Sequence, residues 1–153
     1  MALVTTERLE IVPLSDGQML ALIAGESDPE TKQAYTEMRE LALAHRENRL
    51  WYTAWQMRLR ENREAVGDLC FKGLSPEGVV EIGYGMNPAY EGRGFMTEAV
   101  KAMVLWASRQ PGVREIQAGT EPGNRASQRV LEKAGFRPNG ITGAEGPRFT
   151  WIK

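Results

Sequence analysis

Between Glu81 and Ala99 the chain reads Glu-Ile-Gly-Tyr-Gly-Met-Asn-Pro-Ala-Tyr-Glu-Gly-Arg-Gly-Phe-Met-Thr-Glu-Ala, a strand pattern that enters a glycine-spaced loop and then a helix. At a helix start several backbone N–H groups have no intrahelical acceptor, and the dipole favours negative charge there. Gly92 and Gly94 let that backbone approach a ligand with no side chain in between. Phosphate or pyrophosphate is the ligand such a cradle suits. The same glycines also make an ordinary tight strand–helix turn, and both readings stand at this level. Two other phosphate motifs are excluded: position 97 is Thr, where a dinucleotide fingerprint has its third glycine, and no Gly-Lys-Ser/Thr occurs.

The strand before the loop has two unlike faces. Val80, Ile82, Tyr84 and Met86 share one, while Glu81, Gly83 and Gly85 share the other. A ligand lying along the bare face accounts for the missing side chains, and a close helix–sheet contact accounts for them equally. A second stretch runs from Asn124 to Phe136 (Asn-Arg-Ala-Ser-Gln-Arg-Val-Leu-Glu-Lys-Ala-Gly-Phe). Asn124 is a natural helix cap and Gly135 a natural stop. Ser127, on the side of Ala126, Val130, Leu131 and Ala134, either bonds a backbone carbonyl or faces a site.

Other elements must position these stretches. A first strand is expected over Arg8–Leu14, then a short helix capped at Ser15-Asp16. A second helix starts at Asp28-Pro29, with Tyr35, Met38, Leu41, Ala42 and His45 on one side. From Trp51 the period becomes two, with Trp51, Thr53, Trp55, Met57 and Leu59 facing one way. Val66–Lys72 and Val79–Met86 complete an antiparallel meander. Thr97–Arg109 is predicted helical, Glu115–Thr120 a strand, Arg125–Ala134 a helix, and the segments from Phe136 and over Arg148–Ile152 two closing strands. The order predicts one α/β domain over 1–153 with a mixed sheet of six to seven strands and about four helices.

Composition narrows the function classes. With 153 residues, 19 Lys+Arg against 20 Asp+Glu and a net charge of -1, the chain lacks the basic excess of a nucleic-acid binder. No run approaches the ~20 apolar residues of a membrane span. The start Met1–Glu7 lacks a signal-peptide pattern, so a cytoplasmic location is the expectation. The single cysteine, Cys70, and single histidine, His45, suggest no metal site; Cys70 reads as a small strand residue and His45 as a helix-end packing group. Trp51, Trp55, Trp106 and Trp151 read mostly as core anchors.

Together the two stretches resemble the GNAT superfamily of acetyl-coenzyme A-dependent N-acetyltransferases, and most closely its branch acting on ribosomal-protein N-termini. Glu-Ile-Gly-Tyr followed by Pro-x-Tyr-x-Gly-Arg-Gly-Phe-Met-Thr-Glu-Ala resembles the coenzyme-binding segment, and Asn-x-x-Ser-x-x-Val-Leu-Glu-Lys-Ala-Gly-Phe the one that follows. The resemblance implies a sheet splayed between the third meander strand and the Glu115–Thr120 strand. It implies coenzyme contacts at Tyr84, Gly85, Met86, Gly92, Arg93, Gly94, Phe95, Met96, Thr97 and Asn124, with Gly85 and Met86 bonding the pantetheine arm like another strand. Two positions depart from the family pattern: Ala89 where many relatives have Gln or Arg, and Leu131 where many have a tyrosine acid.

The implied reaction is acetyl transfer from acetyl-coenzyme A, without a metal, to a primary amine, with Glu81 as general base and Ser127 as the group that stabilises or protonates the thiolate. The acceptor is a peptide N-terminus or a small molecule such as a polyamine or aminoglycoside, and the protein a monomer or homodimer. A coenzyme A-binding module without transferase activity is the alternative that Leu131 keeps open.

Overall fold

Short-range signals set the first elements. The computed structural model describes residues 3–144 and 146–153. A two-residue strand, β1 (Val4–Thr5), precedes β2 (Leu9–Pro13). Ser15 then starts α1 (Asp16–Gly25) with a reciprocal capping box: its hydroxyl accepts from the Gln18 amide, and the Gln18 side chain accepts from the Ser15 amide. Asp28 caps α2 (Pro29–Ala44), whose first residue is the proline that tolerates a missing N–H.

The chain after α2 departs from the pattern read from sequence. Arg46–Trp51 forms a 3-10 turn, and β3 spans Ala54–Leu59, so Trp51 lies before the strand. The alternation through Trp51 is coincidental: its ring joins a cluster with Phe71 and Trp106, while Trp55 reaches the same two rings from β3. Leu41, grouped by spacing on one side of α2 with Tyr35 and Met38, is exposed. Strands β4 (Ala65–Leu74) and β5 (Val79–Met86) follow, then a 3-10 turn at Pro88–Tyr90 and α3 (Phe95–Ser108). The end of the domain is β6 (Glu115–Gly119), α4 (Arg125–Lys133), β7 (Arg137–Thr142) and β8 (Pro147–Ile152).

Among the described residues the sheet has eight strands in the order β1-β2-β3-β4-β5-β6-β8-β7. That is one more than the six to seven expected, the addition being β1, too short to leave a periodic signature. Among the described residues only the β5–β6 pairing is parallel. One face carries Trp55, Met57, Leu69, Phe71, Val80, Ile82, Ile116, Ala118 and Phe149, packed with α3 in the main core. Val100, Met103, Val104 and Ala107 point inward from α3 at helical spacing, and burying each large side chain contributes about 1.5–3 kcal/mol. On the other face α1 and α2 form a smaller cluster in which Tyr35 and Met38 pack near Ala54. Among the described residues no helix is long and apolar enough to cross a membrane.

Candidate active site

Strands β5 and β6 pair over three residues only, Val79↔Glu115, Val80↔Ile116 and Glu81↔Gln117. Beyond Glu81, β5 continues along β4 to the Gly67↔Met86 pair, while β6 continues along β8 to Gly119↔Arg148. The two strands therefore part, and the sheet opens between them. The Asn87 amide donates to the Val66 carbonyl, which sets the phase of the β4–β5 ladder. In that phase the backbone groups of Gly83 and Gly85 bond to β4, and those of Tyr84 and Met86 face the opening. Of the two residues expected to bond a ligand there, Met86 directs its backbone groups at the opening and Gly85 has its own engaged in the sheet.

Gly85 contributes space instead. A Cβ at Gly85 meets nothing within 4 Å, and one at Gly83 meets only its sheet neighbours Lys72 and Cys70. A tight helix–sheet contact does not explain these glycines. The bare face is open.

At the end of the opening, Gly94 sits at φ 80°, ψ 4° before α3, a left-handed conformation costly for residues with a Cβ. Having no side chain, it leaves the first-turn amides uncapped, as an anion site requires. A Cβ at Gly92 likewise meets nothing within 4 Å. The side chains of Phe95 and Met96 are buried in the core, so these residues offer only their amides. Arg93 lies over the Tyr90 ring at 5.6 Å. The cradle fits a pyrophosphate held by backbone groups.

The cradle is braced by residues that the sequence reading passed over. Glu98, an acid in the first turn of α3, receives the Arg8 amide at 2.9 Å, the Arg8 Nε at 2.8 Å and the Thr6 hydroxyl. Arg8 also donates to the Arg93 carbonyl at 2.9 Å and lies 4.2 Å over the Phe95 ring. Partial burial pushes the Glu98 carboxyl up, but the bonds from Thr6 and Arg8 outweigh it and hold the group below its ordinary 4.5. The β1–β2 turn is thus tied to the cradle loop.

Below the opening, the Asn124 side chain accepts from the Ser127 amide at 3.0 Å and starts α4. The Ser127 hydroxyl meets the Tyr84 hydroxyl at 2.8 Å, joining two of the sequence-selected residues. Burial pushes the Tyr84 phenol up and the Ser127 bond opposes this; the net shift is upward, so the phenol keeps its proton at neutral pH. Leu131 is fully buried, and Ala126, expected inward, is exposed.

Glu81 is committed to two cations. Lys72 Nζ and Arg148 Nη2 each lie 2.8 Å from its carboxylate, and Arg148 also bonds Gln117 at 3.2 Å. Half-burial pushes its pKa up, but the bonds from Lys72 and Arg148 outweigh it and the net shift is downward from 4.5. That direction weakens a base meant to work near neutrality.

A different carboxylate faces the bare strand. Asp68 is the ladder partner of Gly85, and its Oδ2 accepts from the Tyr35 hydroxyl at 2.6 Å. Burial pushes the Asp68 pKa above 3.8, against the Tyr35 bond. A cavity of about 410 Å³ lies here between α2 and the strands, lined in part by Tyr35, Asp68, Gly83 and Gly85. Sequence reasoning missed both residues. The available signal was an acid in the middle of a strand whose neighbours Leu69 and Phe71 are core.

The remaining candidates are structural. His45 stacks on Tyr52 at 4.3 Å and its Nδ1 meets the Leu41 carbonyl at 2.9 Å. Cys70 is buried, and burial pushes its thiol up to about 11, far from a reactive thiolate. Among the described residues no group of His, Cys, Asp and Glu could hold a metal ion.

Residues 8–137 match the family model described as Acetyltransferase (GNAT) domain. Sixty residues, 39% of the chain, are 48% identical to the "Probable N-acetyltransferase YjcK" of Bacillus subtilis, and the match spans only 33% of that relative's length. Among solved structures, the ribosomal L7/L12 alpha-N-protein acetyltransferase RimL in complex with coenzyme A superposes with a TM-score of 0.77 at 18% identity, covering 99% of this chain and 98% of that one. AAC(6')-Ib in complex with paromomycin and acetyl-coenzyme A gives a TM-score of 0.71 at 21% identity, covering 96% and 94%. At such identities the likeness establishes the fold.

Proposed function

The chain belongs to the GNAT acetyltransferase family, and on that premise we propose that it transfers an acetyl group from acetyl-coenzyme A to a primary amine. The observation that carries this reading is the parting of β5 from β6, with the uncapped start of α3 at one side and the Asp68 cavity at the other. The amides of Gly92–Thr97 take the pyrophosphate, with Arg93 beside them. Tyr84 and Met86 offer backbone groups to the pantetheine arm, and Asn124 stands at its far end. Acetyl-coenzyme A is a cosubstrate here, as it is the ligand of the structurally similar AAC(6')-Ib.

In this reading the neutral amine forms a C–N bond at the thioester carbonyl carbon and the C–S bond breaks. One proton leaves the ammonium before attack, a second leaves the nitrogen as the amide forms, and the departing sulfur gains one. Ser127 donates to the sulfur while the Tyr84 hydroxyl at 2.8 Å passes it a proton, and Tyr84 regains through water one of the two protons shed by the nitrogen as the other leaves to solvent. The Met86 amide polarises the thioester oxygen. Glu81 fixes β5 against β4 and β8 through its two ion pairs; any direct proton role for it is read from the pH–rate profile of Glu81→Gln.

Buried Leu131, which offers no hydroxyl at the tyrosine position, favours one second reading: a coenzyme A-binding module without turnover. Calorimetric titration with acetyl-coenzyme A, followed by thiol release with peptide N-termini, polyamines and aminoglycosides, separates the two. Binding with release supports transfer. Binding with no release across all amines supports the module, and no binding refutes both.

A further inference from the structure

We propose that Asp68, held by Tyr35, receives the acceptor's ammonium group, and that the acceptor carries more than one positive charge. The inference rests on the acetyl-transfer reading and names the substrate class of that same site. It starts from position. Asp68 stands across the ladder from Gly85, so its side chain leaves the sheet on the face that Gly85 keeps clear. That face is the floor of the 410 Å³ cavity under α2, and β5, the strand beside the opening, forms one wall of it. An amine bound at Asp68 thus lies next to the strand that would carry the acyl donor.

Chemistry adds the ligand's charge. Tyr35 occupies Oδ2, and among the described residues no donor bonds Oδ1. A half-open carboxylate taken this far from water is costly unless a cation joins it. An ammonium group recovers that cost and finds both a charge and a hydrogen-bond acceptor. Of the thirteen residues lining the cavity, Asp28, Glu30 and Asp68 are acidic and none is Lys, Arg or His. Asp28 caps α2 and Glu30 sits in its first turn, so each has a helical role, but neither role removes its charge from the rim. One ammonium satisfies Asp68; the rim attracts a second cationic group on the same molecule. A peptide N-terminus with uncharged side chains supplies only the first.

The test compares spermidine with glycinamide, one polycationic and one singly charged, by thiol release, alongside calorimetric titration with acetyl-coenzyme A. The wild type is expected to show the higher kcat/KM for spermidine. Asp68→Asn keeps the shape and an acceptor for Tyr35; it should bind acetyl-coenzyme A within about twofold of wild type yet lose about 100-fold in spermidine kcat/KM, mostly through KM. Glu30→Gln should lower spermidine kcat/KM several-fold and spare glycinamide. The proposal is overturned by an Asp68→Asn enzyme with unchanged spermidine kinetics, by a Glu30→Gln enzyme whose preference for spermidine over glycinamide is unchanged, or by a wild type that prefers glycinamide. If the wild type binds no acetyl-coenzyme A or releases no thiol with any amine, the acetyl-transfer reading itself fails and takes this one with it. Release that persists while Asp68→Asn behaves as wild type sinks the subsite alone.

Discussion

Gly67 and Gly85 lie near each other on adjacent strands, and the structure gives them opposite tolerances. A methyl at Gly67 would stand 2.5 Å from the Gly85 carbonyl oxygen, 2.9 Å from Met57 Cε and 3.1 Å from Met86 Cα, where ordinary contact begins at 3.4 Å. The oxygen is backbone and cannot swing away, so β4 and β5 must shift. Overpacking of this kind costs about 1–3 kcal/mol, and in a domain this size each kcal/mol moves Tm by about 2–4 °C. Gly67→Ala should therefore lower Tm by roughly 2–12 °C. At Gly85 the same methyl meets nothing within 4 Å, so Gly85→Ala should leave Tm unchanged or raise it, because stiffening the unfolded chain stabilises by about 0.4–1 kcal/mol. Gly85→Leu then becomes a probe of function: it should fold with near-normal Tm while its side chain fills the bare face beside Asp68 and cuts amine kcat/KM by at least about 10-fold. Thermal unfolding and thiol release measure the two effects. A Gly85→Ala protein as destabilised as Gly67→Ala would refute the open face, and a Gly85→Leu protein with full turnover would refute its use.

Other consequences are simpler. Arg8→Ala removes a partly exposed ion pair, so Tm should fall by no more than about 4 °C, but the Arg93 carbonyl loses its anchor and acetyl-coenzyme A affinity should drop about three- to tenfold; calorimetry decides, and unchanged affinity dismisses the brace. Ser127→Ala should lower kcat by about 10²-fold or more with little effect on coenzyme affinity, and Tyr84→Phe should lower it in the same sense; full activity in Ser127→Ala reduces the hydroxyl to packing. The Glu98 carboxyl is held below 4.5 in the folded protein, so its contribution to stability is complete above that value and lost as pH falls through the lower folded pKa. Wild-type Tm should hence decline more steeply than that of Glu98→Gln once pH drops below about 4.5, and parallel curves in acid-range melting experiments count against it.

How far the sequence reached depends on where each signal lives. The caps at Ser15 and Asp28, the strand at Val79–Met86 and the inner face of α3 are set by neighbours a few residues apart, and these agree with the structure. Trp51 and Leu41 do not. The period of two through Trp51 is coincidental: its ring reaches Phe71 and Trp106, a contact between distant segments that needs no strand. Leu41 satisfies helical spacing, but in the last turn of α2 it is Ala42 that is buried, and Leu41 is left exposed.

The same division runs through the site, and it separates donor from acceptor chemistry. A pyrophosphate held by backbone amides needs glycines at fixed spacing, so Gly92 and Gly94 stand out in the sequence. The arrangement is local because the ligand's charge is met by the chain's own dipoles. An amine needs carboxylates, and a carboxylate can come from any strand that faces the right way. Glu81 lies inside the recognisable stretch and therefore attracted the role of base, yet Lys72 and Arg148 reach it from β4 and β8. Asp68 lies outside every motif and meets Tyr35 across 33 residues of chain, so only the folded sheet brings it to Gly85. The half proposed for the donor is thus written as a motif. The half proposed for the acceptor depends on pairings between strands, which no local pattern records.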